Sequence, residues 1–149
     1  MGIKNNLQAD LKDAMKSGAT DRRDVLRSLL AAVKQVEIDD QIQLDDEGVM
    51  DVLIKQAKQH RESIADFEKG GRAEMVAEEQ HVLAIIEEYL PKQASEDEIR
   101  ALAAAKIAEL GVTNPKGMGQ VMSAMMVDLK GQADGKVVSQ IVRELLLNQ

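Results

Sequence analysis

Apolar residues recur at three- and four-residue spacing along almost the whole chain, the signature of helices that each bury one face. Between residues 21 and 39, Val25, Leu26, Leu29, Leu30, Val33 and Val36 share one side of a helix. Farther on, Met50, Leu53, Ala57, His60, Ile64 and Phe67 follow at alternating steps of three and four, which predicts the seam of an antiparallel bundle. A first helix is expected near residues 3–16, ended by Ser17-Gly18. A fourth is expected from about Arg72 to Leu90, with Val76, Leu83, Ile86 and Leu90 inward. Alternating β-branched runs and Asn-Gly hairpin turns, the marks of strands, are missing.

Punctuation divides this pattern. Gly70-Gly71 separates the third and fourth helices, and Pro91 ends the fourth by pushing the preceding residue out of the α region. The segment 95-SEDE-98 is a capping box that opens a fifth helix, with Ile99, Leu102, Ala103, Ile107 and Leu110 apolar and Gly111 as its stop. Asn114 followed by Pro115 is a cap and a first helical residue, so a sixth helix begins there, with Met118, Val121, Met122, Met125 and Leu129 inward. Met126 falls off that stripe and is expected to be exposed. Asp134 caps a seventh helix whose inner face is Val138, Ile141, Val142 and Leu145. The expected fold is all-α: an antiparallel four-helix part over residues 1–92, then a three-helix tail domain over residues 93–149.

Composition then narrows the function classes. There is no Cys, so disulfides, thiolate metal sites and thiol nucleophiles are excluded. No apolar run approaches the roughly 20 residues of a membrane span, and the N-terminus turns polar at once. Gly2 imitates a myristoylation site, but Asn6 stands where Ser or Thr is required. These features lead to the expectation of a soluble, cytoplasmic protein with no membrane partner. Phe67 and Tyr89 are the only aromatics, too few for base-stacking platforms. The net charge of −7 argues against a protein that coats nucleic acid. That charge is uneven: residues 1–91 hold 12 Lys and Arg against 19 Asp and Glu, whereas residues 92–149 hold 7 of each.

Short motifs mostly fail on mechanism. The segment 117-GMGQVM-122 imitates a dinucleotide loop but lacks its third glycine and any preceding strand. The segment 131-GQADGKV-137 imitates a phosphate loop but has Val137 where a metal-binding hydroxyl is needed. The acidic link 39-DDQIQLDDEG-48 breaks the calcium-loop alternation and reads as a solvated connection. His60 on the apolar seam and His81 on a flank lack the spacing of metal ligands, and a hydrogen-bonded core histidine is the favoured reading. No nucleophile–base pair stands out, and neither a metal nor a cofactor is expected.

Basic residues beside the helix ends of the neutral tail remain: Lys116, Lys130 and Lys136. A lysine next to free backbone N–H groups at a helix start can grip a phosphate. Lys130 and Lys136 flank the Gly131–Gly135 turn, while Lys116 lies about 21 Å from Lys130 along the sixth helix at 1.5 Å per residue.

The segments 119-GQVM-122 and 131-GQADGKVVSQIVRELL-146 resemble the tail domain of the GatB subunit of glutamine-dependent aminoacyl-tRNA amidotransferase. There, G-x-V-M is followed by G-x-A-N-P-K-x-V; here Asp134-Gly135 replaces Asn-Pro, keeping the cap and losing the rigid proline. The segments 22-RRDVLRSLLAAVKQVEID-39, 61-RESIADFEKGGR-72 and 89-YLPKQASEDEI-99 resemble the stand-alone GatB/YqeY family, so the resemblance spans essentially the whole chain. It implies a helical bundle plus a small three-helix domain. It also implies a tail that contacts tRNA while the family-level chemistry, carbon–nitrogen ligase activity with glutamine as amido-N-donor, belongs to other domains and subunits. Similar modules assist tRNA binding when appended to some glutaminyl-tRNA synthetases.

The expectation is therefore a non-catalytic tRNA-binding accessory module. Its site would comprise Lys116, Lys130 and Lys136, with Gly117, Gly119, Gly131 and Gly135 letting backbone approach ribose. The alternative is an adaptor whose acidic bundle docks an aminoacyl-tRNA synthetase or amidotransferase component. A third reading, an amidotransferase participant, needs converging polar groups around His60, Glu78 and His81.

Overall fold

A computed structural model describes residues 2–148, and the fold is all-α. The chain divides into two compact units, Met1–Leu90 and Pro91–Gln149.

The first unit holds α1 (Ile3–Ser17), α2 (Thr20–Asp40), α3 (Asp46–Lys69) and α4 (Ala73–Glu87). Leu7, Leu26, Leu29, Val33, Val49, Leu53, Ala57 and Ile86 form its core, each at most 2% exposed. Complete burial of a Leu or Ile side chain is worth about 1.5–3 kcal/mol. The expected third helix centred its seam on Met50, Ile64 and Phe67; these three are only half-buried, and Val49 and Val52 take the inner positions. The reason is that α3 packs on α1 and α2 as well as on α4, so its apolar face serves three neighbours. Beyond Ala57 the α3–α4 hairpin holds itself together: no residue from 58 to 84 is buried.

The acidic link is solvated as expected, with residues 39–43 and 45–47 exposed, and it also anchors the helices beside it. Asp45 caps α3, accepting the Gly48 N–H at 2.9 Å. The Glu37 carboxylate accepts from Lys4 at 2.8 Å and from the Leu44 N–H at 2.8 Å. At the other end of the unit the Tyr89 hydroxyl donates to Asp10 and accepts from Arg22, and Arg22 also reaches Glu88 at 2.8 Å. Burial first, and the bond to Asp10 second, push the Tyr89 phenol well above its ordinary range. The fourth helix stops at Glu87, short of the expected Leu90. Three successive i→i−3 bonds, from Glu88, Tyr89 and Leu90, tighten the chain ahead of Pro91.

The second unit holds α5 (Glu96–Leu110), α6 (Met118–Leu129) and α7 (Gly135–Leu147), with a 3-10 turn at Pro115–Gly117 leading into α6. Its core is Ile99, Ala103, Ile107, Val121, Met125, Leu129, Val138, Ile141, Val142 and Leu146. The methionines pack as their spacing predicts, Met125 completely and Met118 and Met122 in part. Met126 also packs against this core; the exposed apolar side chain of α6 is Val127, at 79%. Ser95 caps α5 through the Glu98 N–H at 3.1 Å.

Candidate nucleic-acid interface on the second unit

The residues singled out in the sequence sit in unlike settings. Lys116, Lys130 and Lys136 are all exposed. At two of them the cap takes a helix-start amide. The Asn114 side chain accepts the Lys116 N–H at 3.0 Å, and Asp134 accepts the Lys136 N–H at 3.2 Å. Each cap thus takes one of the amides at the start of its segment.

The glycines divide in the same way. A Cβ on Gly117 would lie 2.3 Å from Val112 Cγ1, so its missing side chain serves internal packing. Gly131 is buried with φ +76°, and its carbonyl accepts from the Gln93 amide at 2.7 Å. It makes a left-handed turn that favours glycine, and its backbone is turned inward. Gly119 and Gly135 meet nothing within 4 Å at the Cβ position. Of the four glycines singled out in the sequence, these are the two shown with open space at that position.

Helical phase gathers the exposed residues into two stripes. On α6 and the turn before it, Lys116, Gln120, Ser123, Val127 and Lys130 are exposed at near-helical spacing. On α7, Lys136, Gln140, Arg143 and Leu147 do the same at steps of four, three and four. Arg143 escapes a reading centred on helix ends, although its i+7 relation to Lys136 is written in the sequence.

The acids of this region are all engaged. Asp128 pairs with Lys106 at 3.2 Å and Glu144 with Arg100 at 3.1 Å, while Asp134 caps α7. Lys106 is held above its ordinary pKa, chiefly by its bond to Asp128. Among the described residues, Lys116, Lys136 and Arg143 make no ion pair. A unit with balanced formal charge thus presents its cations outward along α6 and α7, while Glu96, Asp97 and Glu98 gather at the start of α5. Exposed ammonium and guanidinium groups beside neutral amides and a hydroxyl suit phosphate and ribose contacts.

The first unit does not bring His60, Glu78 and His81 together. His60 Nδ1 contacts Glu79, not Glu78, and His81 lines a different recess, with Thr20, Arg22 and Glu88. Its exposed large apolar side chains are Met15, Ile38 and Ile42.

Residues 4–146 match the sequence profile of the Yqey-like protein family. The chain belongs to that family. Among curated relatives, proteins named "Altered inheritance of mitochondria protein 41, mitochondrial" are similar over much of their length. The one from Lachancea thermotolerans is 37% identical over 113 residues, covering 74% of this chain and 60% of that protein. The one from Eremothecium gossypii is 37% identical over 124 residues, covering 78% and 68%. The Pyrenophora tritici-repentis protein is 28% identical over 143 residues, covering 94% and 78%. The chain thus spans roughly three fifths to two thirds of the first two relatives. Their names overturn the expected cytoplasmic location. That expectation rested on the lack of Cys and of a secretory leader, and neither absence carries an address.

Proposed function

We propose that this YqeY-like protein is a non-catalytic tRNA-binding accessory module whose second unit meets RNA with the outer faces of α6 and α7. The observation that carries this reading is the segregation of charge. Lys116, Lys130, Lys136 and Arg143 are exposed on those faces, while Asp128, Asp134 and Glu144 are each held by a partner. Folded RNA is recognised through phosphate and 2′-hydroxyl contacts along its shape, which needs neither aromatic platforms nor a basic protein overall. Gly119 and Gly135 leave room for a backbone-to-ribose approach, whereas Gly117 and Gly131 are committed to the unit's own packing. The acidic first unit repels phosphate and so directs RNA to the second.

The test is fluorescence anisotropy with folded tRNA, both bulk and mitochondrial because the relatives are named mitochondrial proteins, against a duplex RNA of equal length. Saturable, tRNA-preferring binding that falls at least tenfold in a Lys116→Glu, Lys136→Glu, Arg143→Glu variant is expected. Binding that the variant retains, or none at about 0.15 M salt, contradicts the reading. The latter outcome turns the search to an adaptor role toward a synthetase or amidotransferase component.

A further inference from the structure

We propose that a depression enclosed by α2, α3 and α4 of the first unit is a binding site for a small primary aliphatic amine, held by Asp24, Ser28 and His60. The depression has a volume of about 230 Å³ and is lined by Asp24, Val25, Ser28, Leu29, His60, Val82 and Ile86. At about 30 Å³ per water, it has room for a short alkyl chain with one head group, less than a drug-sized ligand needs.

Its walls have a definite polarity. Val25, Leu29, Val82 and Ile86 are apolar and belong to the unit's core or pack against it. Each polar group can accept: Asp24 as a carboxylate, His60 at Nε2 when the ring is neutral, and the Ser28 hydroxyl, which can also donate. His60 contacts Glu79 through Nδ1, with side-chain exposures of 26% and 22%. A carboxylate at Nδ1 holds the proton on that nitrogen, so in the neutral ring Nε2 presents a lone pair. Nε2 has no hydrogen-bond partner among the described residues. Both short contacts from Arg23 end on Asp24 Oδ1, at 3.0 Å, and Oδ2 likewise has no partner among them. The Ser28 hydroxyl is in the same position. Asp24, with its side chain 65% exposed, Ser28 and His60 line one small recess.

An ammonium group has three donors and no acceptor, which matches that set; an alcohol has one donor, and a carboxylate meets repulsion from Asp24 and Glu79 against a single donor, the Ser28 hydroxyl. The alkyl stem of the amine would lie on Val25, Leu29, Val82 and Ile86. The surrounding unit, with 12 cationic against 19 anionic side chains over residues 1–91, raises the local concentration of small cations. Glu79 is a positioning residue here, acting through the tautomer of His60 and not on the amine.

The experiment is an NMR titration of the full chain with n-butylammonium chloride, using n-butanol, sodium butyrate and sodium chloride as matched controls. It follows the methyl groups of Val25, Leu29, Val82 and Ile86 together with the His60 ring. Expected is a saturable shift of these resonances with butylammonium alone, with a dissociation constant on the order of 1 mM. Asp24→Asn should weaken binding about fivefold, since it removes the one anionic acceptor of the set. Ser28→Ala, at an exposed position that leaves the fold intact, should weaken it about twofold. Glu79→Gln should change the His60 ring tautomer populations as well as affinity, which a merely structural role of Glu79 would not do. Equal shifts with butanol, absence of saturation at about 20 mM amine, or unchanged affinity in both Asp24→Asn and Ser28→Ala would overturn the proposal.

Discussion

The two units use polar links between helices to different extents. In the first, four such links tie helices together: Lys4 to Glu37, Arg22 to Glu88, Tyr89 to Asp10 and His60 to Glu79. In the second, two ion pairs from α5, Arg100–Glu144 and Lys106–Asp128, join the helices and also engage acids of α7 and α6. The contrast follows from helix length and shape. The α3 helix runs 24 residues, longer than the core it packs on, so its outer half meets α4 with half-buried side chains and polar clasps. The 12- to 15-residue helices of the second unit have no such excess, and their polar faces are left for solvent or a partner.

The largest expected effects come from the two cores. Leu53→Ala and Met125→Ala each remove a side chain that is completely buried and should cost about 2–5 kcal/mol. The cores share no residue, so each substitution should lower hydrogen-exchange protection mainly in its own unit. Equal loss of protection in both units would dissolve the distinction between them.

A glycine pair sharpens the comparison inside the second unit. Gly117→Ala forces a Cβ into Val112, whose branched side chain has little freedom, and should destabilise by about 1–3 kcal/mol in thermal unfolding. Gly119→Ala meets open space within α6 and should stabilise by up to about 1 kcal/mol. If Gly119 borders the RNA, the same substitution gains stability and loses tRNA affinity.

The smallest effect is a pH dependence in the first unit. Lys4 first, and the Leu44 N–H second, hold the Glu37 carboxyl below its ordinary range. A depressed carboxyl contributes stability above its unfolded pKa and loses it as pH falls through the folded one. The stability advantage of the wild type over Glu37→Gln should therefore be constant at neutral pH and shrink towards zero in acid. Urea titrations from pH 7 to pH 3 check this, and an advantage that grows in acid would reverse the assignment.

Most of the fold was legible because helices announce themselves twice, by spacing and by caps. Ser95, Asn114 and Asp134 mark their starts in sequence and cap them in space. What stayed hidden depends on neighbours. Val49 and Val52 displace Met50 from the core because α3 packs on three other helices, which no single-helix pattern encodes. The fates of the four glycines were equally hidden. Spacing shows that each lacks a side chain, but only the fold places Val112 against Gly117 and Gln93 on Gly131. The lysines and the caps beside them were readable, but only the fold shows that Asn114 and Asp134 each take one start amide.

The central claim is that exposed cations of α6 and α7 bind RNA phosphate, and the most direct measurement is the salt dependence of tRNA affinity. Neutralising one phosphate-bound cation should reduce the slope of log K against log salt concentration by roughly one. Replacing Lys116, Lys136 and Arg143 by Gln should therefore flatten the slope by about 2–3, while Lys12→Gln, Lys55→Gln and Lys58→Gln in the first unit leave it unchanged. An equal flattening by the first-unit variant, or an unaltered slope in the second-unit variant, would contradict the account.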